Sequence, residues 1–205
     1  MRIKMNQLRI AYFDQLGRRE LDAAKDKLKQ VYPSVNIKLV GTGHDEIWDK
    51  LTNHEVDLAI NDLRDEKNSF SSETISKSGL MAILQKGSYL RGVQMIEKSE
   101  LTDLTCFIVA KPEEEAAELH LFKDLYQIKS PFIASNSVEE AALLVASGSG
   151  YFLMNENTAK LIKNDSLQQL FLLDEGKQMH QTIAAFYQEK TPIISKFLQI
   201  LKTEY

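Results

Sequence analysis

The residue types that most often carry redox or metal-binding chemistry are scarce in this sequence of 205 residues. Its single cysteine, Cys106, cannot form an internal disulfide, so we expect a cytoplasmic protein in a reducing compartment. The four histidines have neither metal-ligand spacing nor cysteine partners, and we therefore expect no metal and no other cofactor. No apolar run approaches the length of a membrane-spanning helix, which argues against a membrane protein.

Basic residues are in the minority, because 25 Lys and Arg residues stand against 29 Asp and Glu residues. The basic residues are also scattered along the chain rather than clustered. Duplex nucleic acid is held mainly by contacts from Lys and Arg to its phosphates. The composition therefore argues against nucleic-acid binding by this chain on its own.

The first half of the sequence contains a regular alternation of strand and helix patterns. Three short apolar strands and two amphipathic helices alternate within residues 8–60. Such alternation with short turns is typical of a parallel sheet covered by helices. Ligands of such sheets bind beside the carboxyl ends of the strands. The loops at residues 14–16, 42–44 and 61–62 are therefore expected at one edge of the sheet. The candidate binding residues in these loops are Asp14, Gln15, Leu16, Thr42, Gly43 and Asn61.

Two of these candidates leave alternatives open. Helix N-termini at this edge of the sheet favour an anionic ligand, so the carboxylate of Asp14 is unusual there. Asp14 therefore either points away or faces a ligand that carries a donor or a positive charge. Thr42 is either a ligand contact or the N-cap of the helix that follows it.

The second half of the chain centres on residues 135–153. Ser137 and Glu140 have the spacing of a capping box, so a helix is predicted to begin there. Gly148 is predicted to end this helix, and a buried strand is predicted to follow Gly150.

Three polar residues before this helix are further candidate ligand contacts. Ser135, Asn136 and Ser137 lie where a helix N-terminus presents free backbone N–H groups. Ser137 is alternatively a plain N-cap. Ser135 and Asn136 are expected to have no capping role, which makes them the stronger candidates.

The order of elements predicts two similar α/β lobes with a cleft between them. The polar residues 64–78 are predicted to form a loop, and residues 86–92, with two glycines, are the predicted linker. The strand and helix pattern restarts after this linker. Thr191 and Pro192 are predicted to begin the final helix as its N-cap and first residue.

Four segments have a recognisable order and spacing. They are the opening Leu8–Ala11 with the step Tyr32-Pro33-Ser34-Val35, the run Val56-Asp57-Leu58-Ala59-Ile60, the glycine segment Val145–Leu153, and the terminal helix from Thr191. Together they resemble the effector-binding domain of LysR-type transcriptional regulators. Met154 and Asn155 stand where that family usually has Leu-Pro, and the family's His-Pro-Leu after the crossover strand is absent.

The resemblance implies a type 2 periplasmic-binding-protein fold, an α/β fold with two Rossmann-like lobes and a ligand cleft between them. Lobe I would comprise residues 1–88, completed by 182–205, and lobe II residues 89–181. A small effector would bind between the lobes, and a homodimer or tetramer would form through the helices at about 18–32 and 140–147. DNA would be contacted only through an N-terminal winged helix-turn-helix expected outside this chain.

Two other function classes were weighed: an enzyme, or a cytoplasmic solute-binding protein, on the same two-lobed fold. An enzyme needs a base or nucleophile with a shifted pKa facing the cleft, and no convincing set is present, so we expect no enzyme. Gly41 and Gly43 do not form a dinucleotide fingerprint, because Glu46 stands where its third glycine is required. Cys106 begins an apolar strand, so a buried and inert thiol is expected.

Overall fold

The computed structural model describes residues 7–64, 70–89 and 92–205. The strands are β1 (Gln7–Phe13), β2 (Asn36–Thr42), β3 (Leu58–Asp62), β4 (Ser71–Gln85), β5 (Met95–Glu97), β6 (Cys106–Val109), β7 (Phe132–Ser135), β8 (Tyr151–Asn155), β9 (Leu167–Asp174), β10 (Lys177–Gln178) and β11 (His180–Tyr187). The α-helices are α1 (Arg19–Val31), α2 (Glu46–Thr52), α3 (Glu115–His120), α4 (Val138–Ala146), α5 (Glu156–Ala159) and α6 (Pro192–Leu201). No helix in these ranges is both long enough and apolar enough to span a membrane.

The chain divides into two compact units. The first comprises residues 1–77 and 182–205, and the second comprises residues 78–181. Both divisions fall inside strands, the first within β4 and the second within β11. The first division lies within β4, whereas the expected lobe boundary at residue 88 lies after the strand.

The first unit is built on the predicted parallel sheet. Its strand order is β2-β1-β3-β11, with β1 parallel to both of its neighbours and β11 antiparallel to β3. In this register Ile10 lies opposite both Leu39 and Leu58. Parallel pairing brings the carboxyl ends of β1, β2 and β3 to one edge of the sheet, which is where the candidate residues of the first half lie.

Two helices cover this sheet and pack on each other. Helix α1 buries Leu21, Ala24 and Leu28 at helical spacing. Helix α6 begins as predicted, because the Thr191 hydroxyl accepts the Ile194 N–H at 3.2 Å and a proline follows it. Val31, the last residue of α1, is 52% exposed.

The second unit has a mixed sheet in the order β4-β8-β6-β7. Strand β4 is antiparallel to β8, whereas β6 is parallel to both β8 and β7. On its other edge β4 pairs antiparallel with β9, which also pairs with β5 and β10. Helix α4 buries Ala141, Ala142 and Val145, as its apolar stripe predicts. The predicted strand after Gly150 is also confirmed as β8.

Two predictions from local pattern are wrong. Residues 71–78 were expected in a loop but form the first half of β4. Only Ile75 and Ser78 of this stretch are buried, so no apolar alternation marks it as a strand. Residues 65–69 of the expected loop lie outside the described residues. The sequence of about residues 156–163 also predicts a short helix, but the structure has only the single turn α5 there.

Candidate functional site

The edge formed by the ends of β1, β2 and β3 carries the candidate residues of the first unit. Phe13 and Thr42 are register partners at the ends of β1 and β2. Asp14 follows in a turn of 3-10 helix, is exposed, and packs over Gly41. A Cβ added to Gly41 would lie 1.9 Å from Asp14 Oδ1 and 3.2 Å from Tyr12 Oη. The absence of a side chain at Gly41 therefore provides the space that the Asp14 carboxylate occupies.

The neighbouring candidates differ in the solvent exposure of their side chains, and therefore in their accessibility to a ligand. Gln15 is half-buried, whereas the Leu16 side chain is fully buried in the core of the first unit. Thr42 is buried, and its hydroxyl donates to the half-buried Gly43 carbonyl at 3.1 Å. Asp45, not Thr42, occupies the N-cap position of α2. The capping alternative for Thr42 is therefore wrong, and its hydroxyl oxygen keeps its acceptor capacity.

Asn61 ties two of the strand ends together. It is fully buried at the end of β3. Its Nδ2 donates to the His44 carbonyl at 3.1 Å, and its Oδ1 accepts the Asp62 N–H at 2.9 Å. The Asn61 side chain therefore fixes the loop after β2 against the end of β3, and this structural role stands beside any contact with a ligand.

A buried ionic cluster lies directly behind this edge. Arg64 Nε is 2.8 and 2.9 Å from the two carboxylate oxygens of Asp62, and both side chains are 2% exposed. His44 Nε2 lies 3.1 Å from Asp62 Oδ1, at an angle that does not make a hydrogen bond. His44 Nδ1 lies 2.9 Å from the exposed carboxylate of Asp45. Each imidazole nitrogen therefore lies beside a carboxylate, which favours the doubly protonated ring.

The pKa shifts agree with this geometry. Burial is the largest influence on the pKa of His44 and lowers it, as does Arg64, but the contacts with Asp62 and Asp45 outweigh both and the pKa is raised. Burial is likewise the largest influence on Asp62 and raises its pKa, but His44 and Arg64 outweigh it and the pKa is lowered. Both shifts favour the charged forms of His44 and Asp62.

Aromatic rings enclose the cluster. The Arg64 guanidinium lies 5.1 Å from the centroid of the Phe13 ring, within the range of a cation–π interaction. The same ring meets His44 edge to face at 5.8 Å. Trp48 of α2 meets His44 on another side at 6.1 Å and stacks on Phe70 at 6.3 Å. These aromatic rings exclude water from the ion pairs, and electrostatic attraction is stronger where water is excluded.

The candidates of the second unit surround one carboxylate. Glu140 Oε2 accepts the Asn136 backbone N–H at 2.8 Å, the Ser135 hydroxyl at 3.2 Å and the Asn136 Nδ2 at 3.4 Å. The Ser137 hydroxyl accepts the Glu140 N–H at 3.1 Å, which confirms the predicted N-cap. The predicted capping box is only half formed, because the Glu140 carboxylate accepts the N–H of Asn136 and not that of Ser137. The expectation that Ser135 and Asn136 have no capping role is wrong, because the Glu140 side chain reaches back to both. Ser135 is also buried, whereas Asn136 is exposed.

Four polar residues at these positions were not among the sequence candidates: His44, Asp62, Arg64 and Glu140. Asp62 is the last residue of the buried strand β3 and Arg64 lies two residues after it, so their position along the chain was a usable signal. Glu140 had a stronger one, because a capping box requires its side chain to bond backward. The burial of His44 had no local signal, since it depends on Asn61 and Asp62 from another strand.

Among the described residues, no group of three or more His, Cys, Asp or Glu is arranged to hold a metal ion.

Comparison with known proteins places the chain in a family. A search of curated protein sequences gave no significant match. A family model described as the LysR substrate binding domain matches residues 4–205. The chain belongs to this family. Its members are regulatory effector-binding domains, which are not enzymes.

Solved structures give this LysR substrate-binding domain its fold. The effector-binding domain of a BenM variant matches with a TM-score of 0.81 and 17% identity, over 98% of this chain and 94% of that one. A cysteine-to-serine mutant of the OxyR2 regulatory domain from Vibrio vulnificus matches with a TM-score of 0.75 and 17% identity, over 100% and 97%. Full-length BenM matches with a TM-score of 0.79 and 17% identity, over 96% of this chain and 66% of that chain. The domain therefore has the type 2 periplasmic-binding-protein-like α/β fold expected from the sequence.

The single cysteine of this LysR substrate-binding domain is buried in the second unit. Cys106 is fully buried at the start of β6 beside Tyr151. The Tyr151 hydroxyl is 2.7 Å from Ser130 Oγ, which donates to the Leu101 carbonyl at 2.8 Å. Burial raises the pKa of the Cys106 thiol to about 12, although Tyr151 opposes this rise. The buried thiol expected from the sequence is therefore confirmed, and this pKa keeps it protonated at neutral pH.

Proposed function

We propose that the domain senses a small effector at the carboxyl-end edge of the first unit and relays its binding to a DNA-binding domain outside this chain. Family membership supports a sensing role in a LysR-type regulator. One similar structure, the BenM effector-binding domain, is described with its effector benzoate. We also propose that the regulator works in the cytoplasm and that the domain itself catalyses no reaction.

One observation carries the location of the site. Thr42, Asn61 and the cluster of His44, Asp62 and Arg64 bring buried polar atoms together at the carboxyl ends of three strands. A sheet of this class binds ligands at that position, and fixed polar groups beside apolar walls give a small-molecule site its specificity. Effector contacts are proposed for Asp14, Gln15, Thr42, Gly43 and Asn61, with Leu16 restricted to its backbone.

The test uses a substitution that removes one polar atom and leaves the shape unchanged. Thr42→Val keeps the side-chain volume but removes the hydroxyl. A metabolite panel is first screened by thermal shift, and the dissociation constants of the hits are then measured by calorimetry. We expect about tenfold weaker binding to Thr42→Val, because one hydrogen bond is lost. Thr52→Val at the exposed end of α2 is the matched control. Equal affinities of the two variants would remove Thr42 from the site.

Effector contacts are also proposed for Ser135, Asn136 and Ser137 of the second unit, and they are tested separately. Asn136 is exposed, and its backbone N–H rather than its side chain makes the short contact with Glu140. Asn136→Leu should therefore abolish the effector response and leave the fold intact. An unchanged response in a reporter assay of the full regulator would exclude Asn136 from the site.

We further propose that the domain forms a homodimer or tetramer through the helices predicted for this role. In the second unit, Leu143 of α4 is 71% exposed, and Ile133 on the neighbouring strand β7 is 52% exposed. In the first unit, Val31 at the end of α1 is 52% exposed. Exposed apolar residues on the predicted contact helices support self-association.

Leu143→Asp tests this proposal, because it places a charge within the predicted interface. We expect a smaller mass by light scattering after size exclusion, with an unchanged circular dichroism spectrum. Leu161→Asp is the matched control, since Leu161 is also an exposed leucine of the second unit, at 52%. The same loss of mass in both variants would mean that α4 has no special role.

A further inference from the structure

We propose that Ser78 and Asn155 form a binding site for a hydrogen-bond-accepting oxygen, the carbonyl or carboxylate oxygen of a small metabolite. Both residues belong to the second unit. The proposal therefore does not depend on the effector contacts proposed for the first unit. Ser78 supplies a buried hydroxyl and Asn155 a buried amide, at the same edge of one sheet.

The hydroxyl of Ser78 is buried without a hydrogen-bond partner. Ser78 is 4% exposed, and its Oγ makes no hydrogen bond in the described part of the chain. The other buried serine and threonine hydroxyls of the described residues all bond within the chain, at Thr42, Ser130, Ser135 and Thr158. An unpaired buried hydroxyl costs stability, because it loses its hydrogen bonds to water and gains none. A ligand atom that bonds to Ser78 removes this cost.

The amide of Asn155 is held in a fixed orientation and keeps one N–H in reserve. Asn155 is 3% exposed at the end of β8. Its Oδ1 accepts the Thr158 N–H at 3.0 Å, and its Nδ2 donates to Gln181 Oε1 at 3.1 Å. A primary amide has a second N–H, and Nδ2 makes no other hydrogen bond to a described residue. The bonds to Thr158 and Gln181 therefore set the direction of a donor that a ligand can use.

Strand pairing places the two groups beside each other. Strands β4 and β8 are antiparallel, and Asn155 lies directly opposite Leu80. Ser78 lies two residues before Leu80 on the same face of β4, which makes it a diagonal neighbour of Asn155. Diagonal neighbours are about 7–8 Å apart. A single oxygen atom between the two side chains can therefore accept a hydrogen bond of about 2.9 Å from each of them.

The pair lies where an α/β sheet binds ligands. Strand β6 is parallel to both β7 and β8, and Asn155 is the last residue of β8. Ser78 lies just beyond this end, because β4 runs in the opposite direction. Ligands of such sheets bind beside the carboxyl ends of parallel strands. A hydroxyl and an amide N–H both donate there, so they select an acceptor on the ligand.

The first measurement needs no ligand and compares Ser78→Ala with the matched control Ser130→Ala. Ser130 is an equally buried serine of the same unit, at 5%, but its hydroxyl donates to the Leu101 carbonyl at 2.8 Å. Thermal unfolding of the full chain is followed by circular dichroism. Ser78→Ala should raise the midpoint by about 2–4 °C, because it removes an unpaired group, whereas Ser130→Ala should lower it. An unchanged or lowered midpoint for Ser78→Ala overturns the proposal, because the hydroxyl then has a partner in the unliganded domain.

The second measurement follows the side-chain amide of Asn155 in proton–nitrogen correlation spectra during titration with acetamide and with acetate, at constant ionic strength. Asn155→Asp identifies the signal, because it removes the N–H groups and keeps the oxygen that caps α5. We expect a saturable shift with at least one probe, and the probe that acts distinguishes a neutral carbonyl from a carboxylate. Ser78→Ala should weaken the binding of that probe about tenfold, and Ser130→Ala should change it less than about threefold.

Two outcomes of the titration overturn the proposal. One is the absence of a shift with both probes, and the other is equal affinity of the wild type and Ser78→Ala. Thr42→Val should leave the Asn155 titration unchanged, because Thr42 belongs to the first unit. A failure of the pair is thereby distinguished from a failure of the effector site proposed for the first unit.

Discussion

Replacing Asp62 with asparagine tests whether the buried cluster is held by charge. The substitution keeps the shape of the side chain but removes the negative charge that faces both Arg64 and His44. Arg64 and Asp62 are each 2% exposed, so solvent barely screens their attraction. Removing one partner of a buried ion pair typically costs about 3–5 kcal/mol. We expect a loss near 3 kcal/mol, the lower end of this range, because His44 can release its proton when Asp62 is neutral.

The control is Asp45→Asn, which removes the other carboxylate beside the same imidazole. Asp45 is 79% exposed, and its contact with His44 Nδ1 is 2.9 Å long. Ion pairs with one exposed partner contribute about 0–1 kcal/mol, so the control should lose no more than that. Urea unfolding followed by circular dichroism gives the free energy of unfolding for each variant. Losses of similar size in the two variants, or a loss below 1 kcal/mol for Asp62→Asn, would refute the idea of a charge-held cluster.

The pH dependence gives a second readout of the same substitution. The pKa of His44 is raised by folding, so its contribution to stability is complete below its ordinary value of 6.5 and is lost as the pH rises through the folded-state value. The pKa of Asp62 is lowered, so its contribution is complete above 3.8 and is lost as the pH falls through the folded-state value. The difference in stability between the wild type and Asp62→Asn should therefore be largest between pH 3.8 and 6.5. A difference that grows above pH 8 would contradict the protonated state of His44.

Three further predictions concern the core and its helices. Gly150→Ala should lower the free energy of unfolding, measured in urea, by more than about 3 kcal/mol, because φ is +138° and the new Cβ would lie 2.2 Å from the Thr105 carbonyl oxygen. Gly148→Ala should lower it by only about 1–2 kcal/mol, because its Cβ would meet only the flexible end of a side chain, at 3.1 Å. The Cys106 thiol, with a pKa of about 12 and no exposure, should react with an aromatic disulfide reagent at pH 8 only as fast as the protein unfolds, so rapid labelling of native protein would contradict its burial. Thr191→Ala should lower the free energy of unfolding by about 1 kcal/mol through loss of the α6 N-cap, and Thr191→Ser should restore most of it.

The sequence was most informative where a buried face creates a periodic pattern. The strands of the first sheet and the amphipathic helix α1 were predicted because each buries one side against a core. The first half of β4 was missed because it is held in place by strand pairing, while most of its side chains face water. Backbone hydrogen bonds do not require a particular pattern of side chains, so the sequence does not reveal them.

The candidate residues show a similar limit. Position at the end of a strand identified Asn61 and could equally have identified Asp62, whereas Arg64 was assigned to the predicted loop at residues 64–78. No local pattern shows that Asn61 hydrogen-bonds to the loop after β2, or that Asp14 occupies the space over Gly41. These contacts join segments that are distant in the chain. The error at Ser135 and Asn136 is different, because the capping box that was recognised already implied that Glu140 reaches backward.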